Sequence, residues 1–315
     1  MKTGITASLF LLSALAPACC SIGFANQPIQ FGMQENVVIY NSKTKTEYFI
    51  RNARFTTDVP KDFAFIAPTP SYPTLSKVDP EIFEFLSSKQ PQRDTASKPS
   101  EGVAASKSLD IETVMVAGYE ATIIKGGDSQ AVTDYLTKNG YKATNDAKEW
   151  VDFYVKKGWY LTAFKLINKS EALETGVICM KFKTDEPFNP YYVPESNRGG
   201  SGTVKFALIS DQYMEPDDRV SANELNYQWM TTLNGSDMAK VAGFLSVPAG
   251  DLPSAAYLSD FFDSSFPTSA KDDLYFYPAT TKQDLPVELP LPALIAGAAL
   301  SAGVIYWGIR ASKKQ

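Results

Sequence analysis

Apolar residues recur in short runs along most of the chain, and their spacing alternates between the two of a strand and the three-to-four of a helix. Val37 to Tyr40 and Tyr48 to Phe55 flank the polar stretch Asn41-Ser-Lys-Thr-Lys-Thr, which predicts two strands joined by a turn. The first run is apolar almost without a break, the mark of a strand central in a sheet. Residues 62–86, DFAFIAPTPSYPTLSKVDPEIFEFL, read as a buried strand from Phe63 to Ala67, a rigid corner and a short helix. Pro68, Pro70 and Pro73 lack the N–H that ladder pairing needs, and they bias Ala67, Thr69 and Tyr72 towards extended backbone. Asp79 is placed to cap the helix, with Pro80 at its first position and Ile82, Phe83, Phe85 and Leu86 on its apolar face. The same corner carries a functional alternative, a stiff groove lined by Tyr72 with Ser71 exposed, although no base stands beside Ser71 in sequence.

Residues 87–108 hold no aromatic and little apolar bulk, which predicts a flexible loop or linker. Beyond it, Ile111 to Val116 and Tyr119 to Ile124 form a hairpin pattern around Ala117-Gly118. Asp128 or Ser129 opens a helix carrying Val132, Tyr135 and Leu136, closed by Asn139-Gly140. A second helix carries Trp150, Phe153 and Tyr154 and closes at Gly158, its aromatic stripe reading as core. Trp159 to Ile167 and Val177 to Lys183 alternate, so each is expected to show one face to the core. Residues 184–194 repeat the proline-aromatic corner, and Val204 to Ser210 is a further strand. From Asp211 to Asp284 the pattern weakens. The whole predicts an α+β fold: a mixed or antiparallel sheet with a few packed helices, plus one C-terminal transmembrane helix.

The two ends have a different character. Residues 1–18 combine Lys2, an apolar run from Ile5 to Leu15 and the small-x-small pattern Ala16-Pro17-Ala18, an export signal cut after Ala18 or, second, after Ala25. Residues 19–288 then form the exported domain. Residues 289–309 contain an uncharged run from Leu291 to Ile309, which as a helix spans roughly 28 Å, close to the hydrocarbon thickness. Tyr306 and Trp307 suit the interface, and the tail 310–315, with Arg310, Lys313 and Lys314, belongs in the cytoplasm by the positive-inside rule. Ala293, Gly297 and Ser301 recur every four residues, a spacing that permits close helix pairing and hence a homodimer. A removable C-terminal sorting signal is the rival, but Leu285-Pro286-Val287-Glu288-Leu289 lacks the Thr-Gly of the cell-wall motif.

Charge and composition remove whole classes of function. Four of the 30 basic residues and none of the 35 acidic ones lie in the end segments, so the stretch between is more acidic than the net -5. That argues against nucleic-acid partners. The chain has no histidine, so a Ser-His-Asp or Cys-His arrangement cannot be built. With Cys19, Cys20 and Cys179 as the only thiols, neither a histidine-containing nor a four-thiolate zinc site can form. No cofactor fingerprint and no catalytic constellation is visible. Cys179 reads as a small buried hydrophobe or, after cleavage at Ala18, as a disulfide partner for Cys19 or Cys20. Asp185 and Glu186 are adjacent and point apart on extended chain, so they make no dyad. Asn168 and Asn234 head sequons that matter only in a glycosylating secretory pathway.

The order of several stretches carries a resemblance. An exported APAC start, an early hairpin, DFAFIAPTPSYP (62–73), DYLTKNGY (134–141), YVKKGWYLTAFKL (154–166) and MKFKTDEPFNPYY (180–192) together resemble a bacterial family of exported proteins, the domain of unknown function numbered 2330. The resemblance covers roughly residues 18 to 210 and implies export and, often, a C-terminal membrane segment. Members usually carry a second cysteine soon after the first, whereas here the two are adjacent. The resemblance implies no activity, substrate or cofactor. The expected role is a non-catalytic, membrane-anchored binding or scaffolding protein of the cell envelope, with an envelope protein or glycan as partner. One alternative is a carboxylate-dependent hydrolase of envelope glycan or peptide, which needs two carboxylates about 5 to 10 Å apart in one cleft. Another is a subunit of a membrane complex, joined through the Ala293-Gly297-Ser301 face.

Overall fold

The computed structural model describes residues 20–23, 30–31, 34–52, 55–56, 63–91, 113–125, 127–139, 144–166, 176–195, 198, 203–217, 225–263 and 271–279. The expected leader, Cys19, most of the 87–108 linker, Asn168, the 289–309 span with Ala293, Gly297 and Ser301, and the basic tail lie outside these residues. The described residues all fall in one compact unit, Met1–Thr280.

Its elements begin with β1 (Cys20–Gly23), β2 (Gln30–Phe31), β3 (Gln34–Asn41), β4 (Thr46–Asn52), β5 (Phe55–Thr56), β6 (Phe63–Thr69), β7 (Thr74–Val78), α1 (Glu81–Ser87), β8 (Thr113–Val116) and β9 (Tyr119–Lys125). They continue with α2 (Ser129–Lys138), α3 (Asn145–Lys156), β10 (Tyr160–Leu166), β11 (Val177–Lys183), β12 (Phe188–Asn189) and β13 (Val204–Ser210). The last are β14 (Met214–Pro216), β15 (Asn226–Leu233), α4 (Gly235–Leu245), β16 (Ala256–Asp263) and β17 (Leu274–Pro278).

Among the described residues two larger sheets form, one ordered β1-β6-β10-β9-β8 and one ordered β15-β16-β13-β3-β4-β11-β7. The first is antiparallel throughout. The second is mixed, because β13 and β3 run parallel. A smaller sheet, β12-β17-β14, adjoins them in the same core. No helix among the described residues is long and apolar enough to cross a membrane.

Alternation along β3 shows how the layers stack. Val38 and Tyr40 point into a core shared with Phe65, Tyr119 and Phe164 of the five-stranded sheet. Val37 and Ile39 point the other way, against Ile82 and Leu86 of α1 and Met238 and Val241 of α4. On the far side of the five-stranded sheet, Ile66, Leu161 and Ala163 meet Val132 and Leu136 of α2 and Trp150 and Tyr154 of α3. The order is helices, sheet, sheet, helices. The expectation that Val37 to Tyr40 is central holds, with β13 on one side and β4 on the other. The expectation that residues 159–167 and 177–183 show one face to the core does not. Leu161 to Phe164 and Val177 to Met180 are buried on both faces, because each sheet is covered twice.

The proline corner also differs from its reading. β6 runs on through Pro68, which pairs with Leu161 of β10. Its other neighbour, β1, pairs with Phe63 to Ile66 among the described residues, so no described ladder on that side needs the N–H that Pro68 lacks. Residues 70–73 then carry the chain from the five-stranded sheet to the seven-stranded one, where 74–78 form the edge strand β7 rather than more corner. Helix α1 starts one residue later than expected, with Pro80 at its cap position, but the Asp79 carboxylate still accepts the Glu81 N–H at 3.0 Å. In the region where the pattern weakens, Asn234 caps α4: its Oδ1 accepts the N–H groups of Ser236 and Asp237, and Asp237 accepts the Asn234 N–H in return. This reciprocal cap accounts for the sequon asparagine in structural terms.

The β8–β9 turn makes a quantitative prediction. Ala117 and Gly118 both hold positive φ, 52° and 87°, as a two-residue hairpin turn demands. Gly176 donates its N–H to the Ala117 carbonyl at 3.1 Å, and a Cβ on Gly176 would stand 2.8 Å from the Ala117 Cβ. Gly176→Ala is expected to lower stability by about 1–3 kcal/mol through overpacking. Adding Ala117→Gly should recover most of that loss, as read from the urea midpoints of the single and double variants.

Candidate functional site

Helix α3 and the segment that crosses it build the candidate site. Thr144 caps the helix by accepting the Ala147 N–H, and Asp146 and Lys156 stand at the ends that suit their charge. Ala147, Trp150, Val151 and Tyr154 face the core, while Lys148, Glu149, Asp152, Phe153 and Lys156 line an open depression of about 600 Å³. Gly158, at φ +73°, turns the chain into β10 and leaves Lys157 just past the helix end.

The floor of the depression is aromatic. Phe153 and Tyr192 stack with centroids 3.8 Å apart and planes 5° from parallel. The Tyr192 hydroxyl donates to Glu149 Oε1 at 2.7 Å, which also accepts the Glu195 N–H at 3.1 Å. Burial and the Glu149 carboxylate push the Tyr192 phenol well up from its usual range. The Arg198 guanidinium lies 5.7 Å from the Tyr192 ring, and its Nε donates to the Val193 carbonyl. Both side chains of the stack are therefore clamped.

The clamp from beneath is a half-buried ion cluster around the buried Asp273. Lys157 Nζ donates to Asp272 at 2.9 Å, to Asp273 at 3.0 Å and to the Tyr275 hydroxyl at 3.1 Å. It also lies over the Phe153 and Trp159 rings, at 4.1 and 5.0 Å from their centroids. Asp273 is 0% exposed, and its Oδ1 accepts the Tyr154 hydroxyl at 2.6 Å and the Tyr191 N–H at 3.0 Å. Burial disfavours the lysine charge, yet Asp273, Asp272 and Tyr275 together hold Lys157 above its ordinary range. Burial outweighs Lys157 at Asp273 and pushes its carboxyl up to about 6. The cluster ties α3 to β17 and to the 191–192 backbone, so it holds the aromatic platform rather than serving it chemically.

A second ionic group lies on the opposite side of the seven-stranded sheet. Lys205 Nζ stands 3.8 Å from both Glu35 and Asp260. Burial, against the Lys205 charge and with Glu35 adding to it, pushes the Asp260 carboxyl up to about 6. The slot beside it, lined by Phe83, Leu86 and Trp229, measures about 10 Å³, room for roughly one water. Glu47 is wholly buried, accepts the Phe188 N–H at 3.0 Å, and is raised well above its usual range by burial. Asp263 accepts the Tyr191 hydroxyl.

The residues singled out from sequence are scattered. The Ser71 hydroxyl donates to the Lys183 carbonyl at 2.7 Å and accepts the Lys183 N–H at 2.8 Å, pinning the proline corner to the end of β11. Tyr72 is 44% exposed and meets Tyr160 edge-on at 5.6 Å. Asp185 and Glu186 are both exposed, and Asp185 pairs with Lys45 at 2.6 Å. Cys179 is a free thiol in the core beneath α1 and α4, and burial pushes it up to about 12, which leaves it unreactive at neutral pH. Among the described residues no group of three or more Cys, Asp or Glu could hold a metal ion. The Trp150-Phe153-Tyr154 stripe divides: Trp150 and Tyr154 are core, and Phe153 turns to the depression. Nothing local foretold Asp272 and Asp273, which reach Lys157 from 115 and 116 residues away.

Comparison with known proteins gives a family. The family model described as "Uncharacterized protein conserved in bacteria (DUF2330)" matches residues 14–251. No curated protein matches the sequence. Among solved structures, one that is similar is the crystal structure of baculovirus P35, 11% identical with a TM-score of 0.42 over 67% of this chain and 76% of that one. Another is the caspase-8/P35 complex, 10% identical with a TM-score of 0.39 over 78% and 90% of the two chains. Likeness at this level carries nothing about function. The matched family residues include Lys157 and Tyr192, while Asp272 and Asp273 lie beyond the match.

Two measurements test the ion cluster. Lys157→Met leaves Asp273 buried without its cation, and the expected loss is about 3–5 kcal/mol in chemical denaturation. The pH dependence follows from Asp260, Asp273 and Glu47, whose folded values all lie above their unfolded ones. The folded state then binds more protons, so the contribution of the two aspartates is full below about pH 4 and is lost as pH rises through about 6, and that of Glu47 falls away above the usual glutamate range. Asp237, lowered chiefly by its bond to Lys89, works the other way, but only below the ordinary aspartate range near pH 4. The melting temperature should therefore rise by several degrees from pH 7.5 to pH 5, and Asp260→Asn should shrink that rise.

Proposed function

The chain belongs to the bacterial family DUF2330, and from that premise and the geometry above we propose a non-catalytic, membrane-anchored binding or scaffolding protein of the cell envelope. The observation that carries this reading is the Phe153–Tyr192 stack at the base of an open depression, locked by Glu149 and Arg198 and braced by Lys157. A platform held rigid before a partner arrives loses little conformational freedom on binding, which is how a flat aromatic patch contributes affinity. Glu149, Arg198, Lys157 and Asp273 spend their hydrogen bonds on the protein itself, which favours holding over chemistry. The leader-like and anchor-like ends of the sequence support placement at the envelope, with the domain outside and the basic tail in the cytoplasm.

Two carboxylate pairs bear on the carboxylate-dependent hydrolase. Glu35 and Asp260 share a slot of about 10 Å³ with Lys205, which has no room for a sugar ring or a peptide. Glu149 and Asp152 line the open depression, where Glu149 already accepts the Tyr192 hydroxyl and the Glu195 N–H, which disfavours the alternative.

The binding reading is tested with the full chain crosslinked in intact cells. Lys148→Glu with Lys156→Glu reverses the rim charge and leaves the Lys157 cluster alone. The expected result is at least a tenfold loss of crosslinked envelope material, with an unchanged amount of protein in the membrane fraction. Lys125→Glu, at the exposed end of β9, serves as the control and should keep wild-type crosslinking. Equal crosslinking by the rim variant and the wild type would refute the reading.

A further inference from the structure

Arginine stays charged at every pH a fold survives, so a guanidinium taken out of water needs hydrogen-bond acceptors. Arg51 is 3% exposed, and its Nε, Nη1 and Nη2 are all without a hydrogen-bond partner. The guanidinium lies over the Phe65 ring, 4.7 Å from its centroid. A cation–π contact offsets only a fraction of what it costs to bury the charge.

The register places this group at one end of the layer between the two sheets. Arg51 is the last residue but one of β4, flanked by Asn36 of β3 and Ile178 of β11. It shares its side of β4 with Phe49, whose ring belongs to the inter-sheet core. Across that core, Thr162 of β10 pairs with Ala67, one diagonal step from Phe65, and its hydroxyl is buried without a partner. The Thr69 hydroxyl, further along the same face of β6, is in the same condition.

Neither acid that faces this layer is available. Glu47 lies four residues from Arg51 along β4, about 13 Å away on an extended strand, and is bound to Phe188. Asp263 is held by the Tyr191 hydroxyl. Asn36 Oδ1 is an unpartnered neutral acceptor beside Arg51, its amide nitrogen donating to Asn189 at 3.1 Å. One amide oxygen satisfies one or two of five guanidinium N–H groups and none of the charge.

We propose that Arg51 forms an internal anion site, which takes a small monovalent anion, a carboxylate or a halide, between the two sheets. The planar fork of the guanidinium matches a carboxylate edge, and the Thr162 hydroxyl, one diagonal step from Phe65, adds a neutral donor. The layer is otherwise filled by apolar side chains, Phe65, Phe164 and Phe206 among them, which suits a small ligand rather than a bulky one. Binding there favours the folded state alone, so the anion acts as a folding ligand.

The experiment follows the melting temperature of the full chain in detergent against sodium bromide and sodium acetate at fixed ionic strength. A saturable rise of roughly 5 °C is expected with at least one anion, and Arg51→Met should abolish it. If that variant does not fold, Arg51→Lys keeps the charge and loses the fork, and it should weaken the acetate response at least tenfold more than the bromide response. A crystal grown in bromide should show an anomalous peak beside the guanidinium. The proposal falls if wild type shows no saturable dependence on either anion. It falls equally if density shows Arg51 bonded to Asn36 Oδ1 or to a carboxylate of the chain itself.

Discussion

Both faces of the central strands of the seven-stranded sheet are withdrawn from water, and the rest of the unit is arranged to cover them. Val37 and Ile39 on one side and Val38 and Tyr40 on the other are all buried. One face is closed by α1 and α4, the other by a second sheet that itself needs α2 and α3 on its outer side. A strand with two apolar faces cannot rest against solvent, so four layers follow from the composition of β3, β4, β11 and β13. The ties between layers are local and specific. The Asp79 N–H bonds the Phe244 carbonyl at 3.0 Å, and Lys89 pairs with Asp237 at 2.6 Å, so α1 and α4 close over the sheet as one piece.

The same doubling of layers explains where the charge goes. Side chains that alternate between two buried faces leave few positions for polar groups, and several of those that occur are held by particular partners. Asp273 and Lys157 satisfy each other and brace the outer platform. Burial raises Glu47 well above the usual carboxylate range, and Asp263 is met by a phenol. Arg51 is different in kind, because its charge cannot be removed by a proton shift. The platform outside and the arginine inside are thus two results of one packing arrangement, one resolved within the chain and one directed at an anion.

Much of this was legible before any coordinates. The continuous run at 37–40, the strands near 160 and 177 though not their burial on both faces, the cap at Asp128 and the stops at Asn139 and Gly158 are local signals, and local hydrogen bonding obeys them. The 211–284 stretch was not legible, since β14 is short, β15 carries a bulge between Tyr227 and Trp229, and α4 opens on an asparagine cap. Strand β7 was missed because an edge strand with one neighbour shows little apolar signal, as its Thr-Leu-Ser-Lys-Val sequence illustrates. The aromatic stripe of α3 was read as core throughout, because spacing gives a helix face but not the identity of what crosses it.

What the chain determined by itself was the set of elements, their caps and corners, the absence of histidine chemistry and the family to which it belongs, since each depends on residues close in sequence or on composition. What only the tertiary structure decided was which face met which layer, and therefore which charges were buried together. Lys157 finds Asp273 across 116 residues, and Arg51 finds Phe65 and, among the described residues, no acid. Such pairings depend on the stacking of two sheets, which no short-range periodicity encodes.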